Sequence, residues 1–161
     1  MEYPNASMKR RLAALVYDFF LILGIWVLTL SILVAMTTET VPAGAAIPEE
    51  QAIPSHWLQL ICYIEALLFN TYFWMFKGQT LGMQVWKIRV VDKENEILGL
   101  KSSIIRFAAA TLSVLPLGLG FVWMFFTKGQ LALHDLLSKT HVIYLGDKPY
   151  PSEVIEKMDR R

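Results

Sequence analysis

Apolar positions fill three long stretches of the chain without the regular interruption of a solvated face. Residues 12–36 contain one charge, Asp18; residues 57–76 contain one, Glu65; residues 107–126 contain none. A bilayer core of about 30 Å takes roughly 20 apolar residues as a helix. No stripe of charge marks these segments as water-soluble amphipathic helices. In lipid the backbone must satisfy its own hydrogen bonds, which leaves helices as the form for each stretch. The pattern predicts an all-α integral membrane protein. It has two full transmembrane helices and a third hydrophobic segment broken by proline and glycine.

The third segment carries Leu115-Pro116-Leu117-Gly118-Leu119-Gly120 near its middle. Proline removes a backbone donor and glycine weakens a helix. The segment reads either as a kinked span or as a hairpin of two short helices that returns to its own side. Strand signals favour the hairpin. Trp86, Ile88 and Val90 alternate with Lys87 and Arg89, as in a half-buried strand. A polar turn over residues 92–96 follows, and Ile97 and Leu98 are placed to return as a second strand. Residues 140–145 form another β-rich run. A lone hairpin is marginal in water, and pairing with that run requires both on one side of the membrane. The whole chain, residues 1–161, reads as one domain, with a core over 6–145 and a polar tail over 146–161.

Charge sets the orientation. Of the 15 basic residues, Lys9, Arg10 and Arg11 precede the first helix, and residues 37–56 hold none. The N-terminus and the 77–106 loop are therefore expected in the cytoplasm, and the returning hairpin puts the C-terminus there too, where three straight spans would leave it outside. The first stretch follows a basic cluster like a signal peptide, but it is too long and contains an acid, so it reads as an uncleaved anchor. The location expected is the cell membrane, multi-pass. The chain is 55% hydrophobic, which excludes intrinsic disorder. A net charge of +1 gives no basic excess for nucleic acid. The single Cys62 excludes an internal disulfide and a cysteine zinc site.

The candidate chemistry lies in the few ionisable residues among the apolar ones. Asp18 would cost about 2.5–3.5 kcal/mol at a helix centre, and such residues face the bundle interior and mark ion or proton routes. Arg11 lies two turns earlier on the same face, about 10 Å away along the axis. Glu65 is nearer mid-helix, with Cys62 and Tyr72 on its side; it suits a proton carrier and an inert neutral acid equally. Arg106 begins the third segment beside three alanines, as an anchor or as a helix-packing partner. His134-Asp135 precedes Leu136-Leu137, with Asp135 as a possible helix cap. If the third segment returns, Asp135 reaches Arg11, and the pair offsets the desolvation each suffers alone. Lys77, Lys87, Arg89 and Lys93 suit anionic headgroups but serve equally as orientation signals. The three histidines lack metal spacing, and no nucleophile has a base at recognisable spacing. No cofactor, metal or enzymatic activity is expected.

These residues, taken in order, resemble the RDD family of small membrane proteins. The family's first helix opens with Arg, then Ala three residues on and Asp seven on, here Arg11, Ala14 and Asp18. Its Gly-Gln-Thr-Leu-Gly motif leading into a strand is here residues 78–82, followed by Lys87-Ile88-Arg89-Val90-Val91-Asp92. Arg106 matches a later arginine, and His134-Asp135 followed by a β run matches the close of the pattern. Asp135 is taken as the second aspartate in preference to Asp92. Met83-Gln84 stands where basic residues are common in the family, and Glu65 lies outside its pattern. The resemblance implies transport of undefined ligands, with cation/proton exchange foremost. The site would be a polar cluster of Arg11, Asp18, Arg106 and Asp135, with Glu65 and His134 secondary. A homo-oligomer, most simply a dimer, would be needed to enclose a path for a cation and a proton. The alternative is a non-catalytic membrane interaction or assembly protein in which the same cluster is a structural lock and the strand edges dock a partner.

Overall fold

The computed structural model describes residues 3–38, 44, 53–114, 123, 127 and 131–146. The elements are α1 (Met8–Thr38), α2 (Ser55–Phe76), α3 (Leu81–Val85), β1 (Ile88–Asp92), α4 (Leu100–Val114), α5 (Leu133–Ser138) and β2 (Thr140–Tyr144). The fold is mostly helical with one small two-stranded sheet. The Leu115-to-Gly120 break lies outside the described residues, and with it the choice between kinked span and hairpin. The tail beyond residue 146 lies outside them too.

Among the described residues, α1 is the one helix long and apolar enough to cross a bilayer, over residues 8–37. Val16, Phe20, Val27, Leu28, Ile32 and Met36 are all exposed along it. In water so much bare apolar surface would be costly. The sequence pattern predicts further spans. α2 is 22 residues long, but Gln59, Glu65 and Asn70 interrupt its apolar run.

α1 and α2 pack against each other. The Trp26 indole Nε1 donates to the Cys62 carbonyl at 3.0 Å, and the Thr29 hydroxyl donates to Glu65 Oε1 at 2.6 Å. α4 packs on α2, with Phe107 edge-on to Tyr63 and the Arg106 guanidinium over the Trp74 ring. The N-terminal end of α1, the short α3, the sheet and α5 gather at one end of this helical layer. The core there is Ala6, Ala14, Trp74, Met83, Ile88, Val90, Leu98 and Val142.

β1 pairs antiparallel with β2, with Ile88 opposite Tyr144 and Asp92 opposite Thr140. The expected return strand at Ile97 and Leu98 does not form. Asp92 Oδ1 accepts the amides of Glu94 and Glu96, closing the polar turn. The chain then leaves the sheet so that Leu98 enters the core. The far edge of β2 is covered by the N-terminal segment instead. Ala6 N–H donates to the Val142 carbonyl and Tyr144 N–H to the Pro4 carbonyl, both at 2.8 Å. The outer edge of β1 is covered by the segment before α3. Val90 N–H donates to the Gly78 carbonyl, and Gln79 Nε2 to the Ile88 carbonyl, at 2.8 Å each. Strand addition by a partner, expected from open edges, therefore meets two covered edges.

The alternation predicted for β1 also needs correction. Arg89 is buried with Ile88, Val90 and Val91. Its Nε and Nη2 donate to the Lys77 carbonyl at 3.0 and 2.9 Å, which lets a charged residue occupy a core position. Arg89 is therefore not placed to meet lipid headgroups.

Candidate functional site

The helical face Arg11, Ala14, Asp18 is buried while its neighbours Leu12, Leu15 and Phe19 are exposed. A spacing of three and four residues puts these side chains on one side of a helix. That face meets two separate polar centres.

The first centre is built on Asp135. One carboxylate oxygen accepts from Arg11 Nη1, and the other accepts from Arg106 Nη1 at 2.8 Å. The Asp135 side chain is fully buried, and each arginine side chain is 4% exposed. Asp135 also accepts the Ala132 amide at 3.0 Å, so it sits in the first turn of α5 with Ala132 as the cap residue. It is thus not the cap itself, the plainer role open to it from sequence. Arg106 Nη1 also donates to the Thr140 hydroxyl, and Thr140 meets Ser138 at 2.7 Å. Arg11 Nε donates to the Ala6 carbonyl at 3.0 Å.

Two guanidiniums on one carboxylate leave an excess positive charge. The Ala6 and Val142 carbonyls and the Trp74 ring face sit against it. Burial alone would push the Asp135 carboxyl up; the Arg106 and Arg11 guanidiniums together outweigh it and hold the group ionised, below the usual carboxylate range. His134 Nε2 lies 3.7 Å from the same carboxylate. Burial, followed by the field of Arg106, pushes His134 down to about 4, so it is neutral at physiological pH.

The second centre is built on Asp18. Its Oδ2 accepts from the Thr80 hydroxyl and its Oδ1 accepts the Gly82 amide at 2.8 Å. Thr80 caps α3, its hydroxyl also accepting the Met83 amide at 3.3 Å. The helix must come very close to α1 for this. A Cβ on Gly82 would stand 2.4 Å from the Ala14 carbonyl oxygen. The small Ala14 and the bare Gly82 are what permit the contact. Gly78 has φ +65 and presses against Arg89 and Val90, where a side chain would collide.

The four residues expected to converge therefore divide. Arg11, Arg106 and Asp135 meet directly, while Asp18 joins Thr80 and Gly82. Two helical turns separate Arg11 from Asp18, and each is satisfied locally. Glu65 stands apart from both, between α1 and α2, its Oε1 held by Thr29 and its buried Oε2 without a partner among the described residues. No group of three or more His, Cys, Asp or Glu side chains able to hold a metal occurs among the described residues. Thr80, Gly82 and Thr140 carry these centres but were not named individually as site residues from sequence. The signal for the first two was the Gly-Gln-Thr-Leu-Gly run, in which a threonine precedes a short helix as a cap should; Thr140 showed only as the start of a β-rich run.

A model of the RDD family matches residues 5–139. The chain belongs to the RDD family. No curated protein and no solved structure matches it. Of the residues that carry the RDD resemblance, Arg11, Arg106 and Asp135 form the first centre, and Asp18, Thr80 and Gly82 the second. Family membership and the bare apolar surface of α1 support reading the chain as a membrane protein.

Proposed function

We propose that this RDD protein is a non-catalytic, multi-pass membrane interaction or assembly protein in which Arg11, Asp135 and Arg106 form a structural lock. The lock fastens the sheet and α5 to the start of α1 and the middle of α4. The observation that supports it most is the closure of Asp135: the carboxylate is fully buried, paired twice and bonded to a backbone amide. A carboxylate that exchanges a proton or cation must be reached and released; this one is held. Asp18 is likewise occupied by Thr80 and Gly82.

In this reading α1 and α2 cross the bilayer, and the N-terminus, sheet and α5 share its cytoplasmic side. The exposed apolar faces meet lipid and a second copy of the chain. With both sheet edges covered, partners dock on helix faces rather than by adding a strand. The test is purification in mild detergent, followed by reconstitution into liposomes containing a pH-sensitive dye under an imposed sodium or potassium gradient. The expected result is no cation-dependent proton flux, with self-association retained. Flux that is lost in Asp18→Asn while the melting temperature stays at the wild-type value would overturn the lock in favour of transport.

Transport of ions or small ligands, with cation/proton exchange foremost, is retained as a second reading on the strength of Glu65. Its Oε2 is enclosed between helices and lacks a protein partner among the described residues, which is the condition of a group that takes up a proton or cation. Under this reading Glu65→Gln abolishes the flux.

A further inference from the structure

We propose that the groove between the β1 turn, the start of α4 and the end of α5 binds the phosphate headgroup of an anionic membrane phospholipid. The groove is open and has a volume of about 460 Å³. Lys93, Lys101 and Lys139 all line it, one from each of those three segments. None of the three ammonium groups has an ion pair or hydrogen bond among the described residues. Asp92 and Glu94 line it too. Asp92 already receives two backbone amides through Oδ1, so it is drawn into its own turn. Three cations face two acids, one of them engaged. Ser102 adds a hydroxyl from the first turn of α4, which contains no acid to compete for an anion.

The rim fixes the class of ligand. Ile105 and Leu137 line the groove, and Leu100, Ile104 and Leu136 stand exposed on the same two helices. A free phosphate has no use for such a border; a phospholipid does, because its glycerol and acyl chains leave the headgroup along apolar surface. Basic pockets at the cytoplasmic ends of membrane helices bind headgroups in this way.

Lys139 ends α5 in the left-handed conformation, with φ 55 and ψ 39. Glycine suits that position without strain, and a lysine there costs stability.

The inference rests on the membrane reading, which is checked separately by resistance of the protein to alkaline carbonate extraction. The binding experiment is native mass spectrometry of the full chain released from micelles containing equal phosphatidylglycerol and phosphatidylcholine. The expected result is selective retention of phosphatidylglycerol, reduced about fivefold for each lysine removed in Lys101→Gln and Lys139→Gln. Millimolar inorganic phosphate should not displace it. Lys139→Gly separates binding from folding: it should melt at or above the wild-type temperature while retaining about fivefold less phosphatidylglycerol. Equal retention of the two lipids, unchanged retention in the double variant, or displacement by phosphate each overturns the proposal. A chain that carbonate releases would instead remove the membrane reading itself.

Discussion

A methyl group on Gly82 would lie 2.4 Å from the Ala14 carbonyl oxygen and 2.9 Å from Asp18 Oδ1. Neither is the loose end of a long side chain, so the α1–α3 contact must open. Gly82→Ala is expected to cost about 1–3 kcal/mol, read as a lower melting temperature in detergent. Asp135→Asn should cost more, about 3–5 kcal/mol, because it leaves two buried guanidiniums facing a neutral amide. His134 adds a pH dependence. In the unfolded chain it takes up a proton near 6.5; in place it does so only at about 4. The unfolded state therefore binds more protons between those values. This contribution is whole above pH 6.5 and is lost as pH falls toward 4, by about 3 kcal/mol in all. Urea melts from pH 7 to 4.5 should show that fall in the wild type and a shallower one in His134→Gln. His141, also pushed down by burial, keeps a smaller slope in the variant. Asp135 acts in a lower window: its stabilisation is present above the unfolded value of 3.8 and disappears only in stronger acid.

At the scale of elements, the sheet survives with two strands because other segments complete its edges. Removing residues 1–6 exposes the edge of β2 and deprives the Tyr144 amide of the Pro4 carbonyl. Hydrogen exchange at Tyr144 should then quicken by roughly tenfold or more, with α2 unaffected. How far these elements were legible depends on whether their cause is local. The apolar runs announced α1 and α2, since a long apolar helix is recognised from composition and length alone. β1 and β2 were visible in their β-rich residues, though β1 does not alternate in burial as expected, and the 92–96 turn was visible in its polarity. The cover of the edges was not legible, because Pro4, Asn5 and Ala6 have no strand signal of their own. Arg89 misled for the reverse reason: its charge reads as solvent-facing, while a carbonyl 12 residues away in sequence makes a buried place for it. Asp18 was recognised as costly, but its partner Thr80 lies 62 residues off, and no periodicity within one helix points there.

At the scale of the whole molecule, the lock and the sheet place the start of α1 beside the last described strand. If α1 and α2 both cross the bilayer, Lys9→Cys and Glu94→Cys, each in a Cys62→Ala background, should react with a membrane-impermeant maleimide from the same side. Ser55→Cys should react from the other side. Labelling of Lys9→Cys and Glu94→Cys from opposite sides would rule out the shared face. The same geometry bears on biosynthesis. Arg11 is made early in translation, yet Asp135 and the Val142 carbonyl it meets are made more than a hundred residues later. Until the ribosome has passed β2, the nascent helix has neither partner for its guanidinium, and its N-terminal segment stays unpaired. Closure of the clamp is therefore a late event, and a chain interrupted before residue 135 has no means of reaching it.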